Sequence, residues 1–230
     1  MEGFDFYIRK KEDLIKAVES CGFVPLFRNS IKGFSVEEHV APEVWFSGDE
    51  GVWEWKGPVI RATGCAYGKF FDRKAVFISR EWFPDFANYR RDGYDFDALY
   101  DDGKARFGDK YLYELIEKNA PVSSKALKIL GDYGKNGKKG FEGIITRLQE
   151  QCYVITDDFV YQLDRHANPY GWGVAEYSTP EVFMGKDFTE RVYSRSPEQS
   201  FERVLTQLKG LLPDAQEEAL KKLLKKGNVQ

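Results

Sequence analysis

Residues 110–163 read KYLYELIEKNAPVSSKALKILGDYGKNGKKGFEGIITRLQEQCYVITDDFVYQL, a stretch punctuated as three helices followed by a hairpin. Tyr111, Leu112, Leu115 and Ile116 recur at helical spacing, and Asn119-Ala120-Pro121 ends that helix because proline cannot continue the backbone ladder. Ser123 or Ser124 offers a capping oxygen to a second helix carrying Ala126, Leu127, Ile129 and Leu130. Beyond the Gly- and Lys-rich loop 131–140, Phe141, Ile144, Ile145 and Leu148 mark a third helix. Cys152 to Thr156 and Phe159 to Leu163 then flank Asp157-Asp158 as two strands. Three helices and a hairpin is the order of a winged helix. The expected class is α+β: a winged-helix domain with a small, aromatic-rich antiparallel sheet module and C-terminal helices.

Upstream, the composition shifts. Four of the five tryptophans (Trp45, Trp53, Trp55 and Trp82) lie between residues 45 and 100. Val52-Trp53-Glu54-Trp55-Lys56 alternates like a strand, and Cys65 to Phe71 and Lys74 to Ile78 flank Asp72-Arg73 at hairpin spacing. A short helix over residues 11–22, closed by Gly22, precedes them, and Trp82 to Tyr89 reads as a helical turn leading into a polar loop from Arg90 to Asp97. Downstream, Ser196-Pro197-Glu198 opens a helix with Phe201, Val204, Leu205 and Leu208 on one face. Leu211 to Asp214 breaks it, and a last helix carries Leu220, Leu223 and Leu224. The resulting division is an aromatic α+β module at 1–103, the winged-helix domain at 104–195 and a helical extension at 196–230.

Composition bounds the function. The chain has 230 residues, 42% hydrophobic and 31% charged, enough for a core without disulfide or metal staples. Its net charge of -3 gives no global basic field, so any nucleic-acid contact needs a local patch. Cys21, Cys65 and Cys152 are odd in number and widely spaced, and read as buried reduced thiols. With only His39 and His166 available, no metal and no other cofactor is expected. Met1-Glu2-Gly3-Phe4-Asp5 lacks a basic flank leading into an apolar run, and no long apolar stretch follows, so a cytoplasmic protein without membrane contact is expected. Phosphate-loop, dinucleotide-binding, serine-hydrolase and zinc-protease signatures are missing from the sequence.

In a winged helix the third helix enters the major groove and the hairpin touches the backbone. Between residues 125 and 147, Lys125, Lys128, Lys135, Lys138, Lys139 and Arg147 face only Asp132 and Glu142, a local excess of cations that Arg165 and His166 extend onto the wing. The bland alternative is a solvated face of a protein-binding module. In the aromatic region, Trp53, Trp55, Arg61, Lys69, Arg80, Trp82, Asn88, Arg90 and Arg91 form a candidate cleft in which flat rings and guanidinium groups stack an unpaired base. The alternative there is an ordinary core. Glu81 and Asp85 are the acids placed to act on a sugar. Gln149-Glu150-Gln151 is assigned a capping or surface role.

This layout resembles the winged-helix units of AlkZ-type DNA glycosylases. Trp53-Glu54-Trp55-Lys56-Gly57-Pro58, Ala66-Tyr67-Gly68-Lys69-Phe70-Phe71 and Trp82-Phe83-Pro84-Asp85-Phe86 more closely resemble the bacterial AlkZ-related proteins, over most of the chain. The resemblance implies DNA binding and DNA repair. The glycosylases carry a glutamine-x-glutamine or glutamine-x-aspartate pair, but the corresponding segment, Gly22 to Ser30, holds neither glutamine nor carboxylate, so that pair is not carried over. The leading expectation is a winged-helix DNA-binding protein without the glycosylase motif. Its alternatives are a diverged N-glycosylase using Asp85 or Glu81, and a protein-interaction module whose C-terminal helices form a homodimer.

Overall fold

The computed structural model describes residues 4–46, 51–166 and 169–226; the opening Met1-Glu2-Gly3 lies outside them. In chain order the helices are α1 (Lys11–Cys21), α2 (Val36–His39), α3 (Pro42–Trp45), α4 (Val52–Thr63), α5 (Phe83–Arg91), α6 (Phe96–Asp101), α7 (Phe107–Asn119), α8 (Ser124–Leu130), α9 (Phe141–Glu150), α10 (Pro180–Met184), α11 (Lys186–Thr189), α12 (Pro197–Leu211) and α13 (Glu217–Leu224). The strands are β1 (Phe23–Pro25), β2 (Ala66–Phe71), β3 (Lys74–Ile78), β4 (Val122–Ser123), β5 (Ile155–Leu163) and β6 (Pro169–Ser178). They form one antiparallel sheet in the order β1-β3-β2-β5-β6-β4. The fold is therefore mixed α+β. Among the described residues no helix is long and apolar enough to cross a membrane.

Two clusters of buried side chains lie on either side of the sheet's middle. The larger joins α1, β1 to β3, α4 and α5 to α12 and α13 through Phe23, Phe77, Phe86, Leu208 and Leu223. The smaller joins α6 to α9 and the hairpin through Phe96, Leu112, Ile145, Leu148 and Tyr177. The three expected helices α7, α8 and α9 precede the β5–β6 hairpin, and the two-residue β4 pairs with β6 through Val122 and Tyr177. Ser123 Oγ accepts from Ala126 N–H as the cap of α8. In α9, Phe141, Ile144, Ile145 and Leu148 are buried, as their spacing requires. Ser196 and Gln199 make a reciprocal capping box on α12. The apolar faces of α12 and α13 are covered within the chain. All three cysteines are free and buried.

Four local expectations are corrected. Val52 to Lys56 is the start of a helix: its buried positions Val52, Trp55, Lys56, Val59 and Ile60 follow the three-to-four spacing, which a five-residue window with two tryptophans disguises as alternation. Asp157-Asp158 is not a turn. Strand β5 runs straight through it, with a bulge that places Asp157 opposite no partner between Thr156↔Tyr177 and Asp158↔Glu176, and the chain reverses only after Leu163. The segment from Arg90 to Asp97 is partly helical, because α5 continues to Arg91 and α6 begins at Phe96, capped by Asp95. On α8 only Leu127 is buried, and Ile129 is 81% exposed, because a helix of two turns presents one narrow face to the core.

Candidate nucleic-acid interface

The outward side of α9 carries Glu142, Gly143, Thr146, Arg147 and Glu150. They line a cavity of about 510 Å³, completed by Lys69 of β2, Arg73 at the β2–β3 turn and Arg106 ahead of α7. Asp72 and Arg73 both hold positive φ, so the hairpin reverses in two residues and brings Arg73 to the cavity. Lys69 is held by two bonds: its N–H donates to Gln149 Oε1 (3.2 Å) and its Nζ to Thr146 Oγ1 (3.1 Å). Gln149 is thus neither a cap nor a surface residue. It is buried and also donates to Thr156 Oγ1 (3.1 Å), tying α9 to β2 and β5. Arg147 makes a two-bond pair with buried Asp109 on α7 (2.5 and 3.2 Å). Gly143 leaves bare backbone at the cavity wall: a Cβ there would approach only Arg147 Nη1, at 3.8 Å.

A second cavity of about 580 Å³ adjoins the first through the shared residues Arg106 and Glu150. Arg90, Arg91, Lys104 and Lys226 contribute to it. Arg90 and Arg91 are buried, however, and spend most of their donors on the chain itself, although Arg90 Nε has no partner. Arg90 donates to the Phe70 carbonyl (2.7 Å), and Arg91 to the Cys152 carbonyl (2.8 Å) and Glu181 (2.6 Å). Arg73, Lys104 and Arg106 escape a sequence reading because they sit in loops with no local cluster to mark them, and Lys226 is visible in sequence only as part of the cationic end of the last helix.

The cations expected on the second helix and its loop divide by what they touch. Lys128 pairs with Glu142 (2.8 Å). Lys138 Nζ donates to the Gly131 carbonyl (3.2 Å) and lies over the Tyr111 ring, while Lys139 Nζ bonds the carbonyls of Gly134 and Lys135. These two organise the loop. Among the described residues Lys125, Lys135 and Arg106 make no ion pair and are exposed. Arg165 and His166 sit at the far end of the hairpin, bonded to each other at 3.0 Å.

The residues grouped as one aromatic cleft occupy separate places. Trp55 belongs to the core. Trp82 packs against Gly22 and Phe23 and lies under the Arg203 guanidinium. Arg80 bonds Asp187 and the Met184 carbonyl, and Asn88 donates to Ser200 Oγ and the Arg195 carbonyl. Asp85 is 3% exposed and fully engaged, pairing with Arg203 (3.0 Å) and Arg195 (3.5 Å) and accepting from Ser200 Oγ (2.9 Å). Glu81 is exposed, and its carbonyl accepts from Arg191.

Trp53 forms a separate aromatic group. Its ring meets Phe27, Trp45, Phe46 and Trp172 at centroid distances of 5.8 to 6.3 Å. Lys56, one turn further along α4, is 8% exposed and places Nζ over the Trp53 ring at 4.3 Å and over Phe159 of β5 at 4.2 Å. Burial lowers its pKa to about 8, against a smaller opposing pull from Glu54. The hairpin is held against α4 by the Arg61–Asp158 ion pair, with Gly57 giving the room for close approach. Lys56, Phe159, Tyr161 and Trp172 carry no signal of this grouping in the sequence, since the helix and the hairpin meet only in three dimensions.

The family model described as AlkZ related matches residues 8–225, nearly the whole chain. No curated protein and no solved structure matches. The match spans both buried clusters and the α9 cavity alike, and it links the chain to DNA-repair-type glycosylases as relatives. This chain belongs to the AlkZ-related family.

Proposed function

We propose that the protein is a winged-helix DNA-binding protein of DNA repair that grips duplex phosphates around α9 and lacks base-excision activity. The order α7, β4, α8, α9 and hairpin, with β4 paired to β6, supports the winged-helix reading. The observation that carries the DNA reading is the outward face of α9, where the bare backbone of Gly143 lies among Lys69, Arg73, Arg106 and Arg147. A glycine there lets a sugar-phosphate chain come close, and cations at the rim exchange counterions with it. The glutamine pair is missing, Asp85 has its carboxylate saturated, and Glu81, though exposed, lines neither the α9 cavity nor the one beside it, which speaks against opening a glycosidic bond there.

Duplex affinity measured by fluorescence anisotropy across a salt series tests this. Affinity should fall steeply with salt. Charge reversal of Arg106 and Lys135, neither of which supports the fold through an ion pair, should weaken binding for all sequences and flatten the log-log slope by about one unit per lost contact. Absence of binding at low salt would overturn the proposal and favour a protein partner for the exposed Ile129, Leu130 and Phe107.

A further inference from the structure

Between the N-terminal turn of α4 and the β5–β6 hairpin lies a third cavity, lined by Trp53, Lys56, Phe159, Tyr161, Trp172 and Gly173. Its volume of about 160 Å³ suits one planar ring system, well below the ~300–1,000 Å³ of sites for larger ligands. One donor at this site has no acceptor. Lys56 Nζ makes no hydrogen bond or ion pair among the described residues and rests only on ring faces. Trp53 contributes its ring face, while its Nε1 is closed off from the cavity. A buried ammonium of this kind costs stability unless something supplies the missing acceptors. Trp172, 70% exposed, stands at the mouth, and Gly173 keeps the wall open: a Cβ there would lie 3.2 Å from Phe159 Cβ and 3.3 Å from Tyr161 Cζ.

We propose that this cavity receives a single unpaired nucleobase through an edge that presents two adjacent acceptors, the O6/N7 edge of an oxopurine. The rings supply stacking surface, which accepts any base, and the orphaned Lys56 ammonium, whose N–H groups can reach both acceptors, supplies the choice. Guanine offers two acceptors side by side; adenine pairs its N7 with an amino donor, and thymine offers one carbonyl beside a methyl group. A phosphate is disfavoured because the cavity's lysine stands near Glu54 and the adjoining Arg61 is already paired with Asp158. The inference rests on the DNA-binding reading and adds a second contact to it, at residues none of which lines the α9 cavity.

The test uses the full chain and duplexes carrying one bulged guanine, one bulged adenine or none. The guanine bulge should bind about tenfold tighter than the paired duplex, with adenine in between. Lys56→Met should bring that ratio to about one while paired-duplex affinity stays unchanged. Gly173→Ala, which keeps the lysine and narrows the cavity, should do the same, so a folding failure of one variant leaves the other decisive. Equal affinity for bulged and paired duplexes, or a guanine preference that survives both variants, would overturn the inference while leaving the DNA reading intact. If paired duplex is not bound at all, the DNA reading fails, and titration of tryptophan fluorescence with 2′-deoxyguanosine decides the cavity: no saturable change overturns it.

Discussion

Asp157 and Asp85 are both buried acids, and their surroundings give them opposite consequences. Asp157 is the extra residue of the β5 bulge, and its Oδ1 has no hydrogen-bond partner. Burial raises its pKa to about 6, and the nearby carboxylates of Glu176 and Asp158 push the same way. The folded state therefore holds this proton more tightly than the unfolded state, and stability is lost as pH rises from about 4 to about 6. Asp157→Asn should stabilise the protein at pH 7.5 by up to about 3 kcal/mol and give no gain near pH 4, read from urea unfolding at the two pH values. Asp85 is fully paired and locks α12 onto α5 through Arg195, Arg203 and Ser200. Asp85→Asn should cost about 2 kcal/mol without changing duplex affinity. Native protein incubated with alkylated duplex should produce no alkali-labile breaks; breaks that vanish in Asp85→Asn would restore it as a catalytic residue.

At the scale of elements, legibility in the sequence followed the length of the repeat. Helices α9, α12 and α13 were readable because each shows its apolar residues over two turns or more with a cap or a break beside it. Helix α4 was not: Trp53 and Trp55 mimic a strand, Gly57-Pro58 mimics a stop, and the helix nevertheless continues over Pro58 to Thr63. The hairpin was misplaced: both expected strands fall in or just before β5, and β6 went unread, because a bulged Asp pair looks like a turn when its cross-strand partners are unknown. Cations of the α8–α9 loop were visible as a cluster, whereas those at the α9 cavity come from four different segments. The predicted cap Gly22 has a second duty hidden in the sequence. It holds φ at +79°, and a Cβ would lie 2.3 Å from Trp82 Cδ1, so α1, β1 and the start of α5 meet over a single hydrogen atom. Gly22→Ala should destabilise by about 2–4 kcal/mol, strain and overpacking combined, measurable as a lowered unfolding midpoint.

Over the whole molecule, residues distant in sequence close the larger core. The last two helices supply Val204, Leu205, Leu208, Leu211, Leu220, Leu223 and Leu224 to a cluster otherwise built from the first ninety residues, Cys152, Ile155, and Met184, Phe188 and Val192 of the α10–α11 region. Truncation before Ser196 should expose that face and yield aggregated protein by light scattering; a soluble, folded remainder would show that the tail is dispensable. The sheet's two halves meet through one residue pair, Tyr67↔Thr156. Backbone hydrogen bonding alone would make that a weak seam, yet side chains rivet it from both sides: Gln149 joins Lys69 to Thr156, Arg90 reaches Phe70 and Arg91 reaches Cys152. Amide protons near the seam are therefore expected to exchange with solvent only when the entire chain opens, and at one common rate, since neither half keeps a complete interior once the rivets let go.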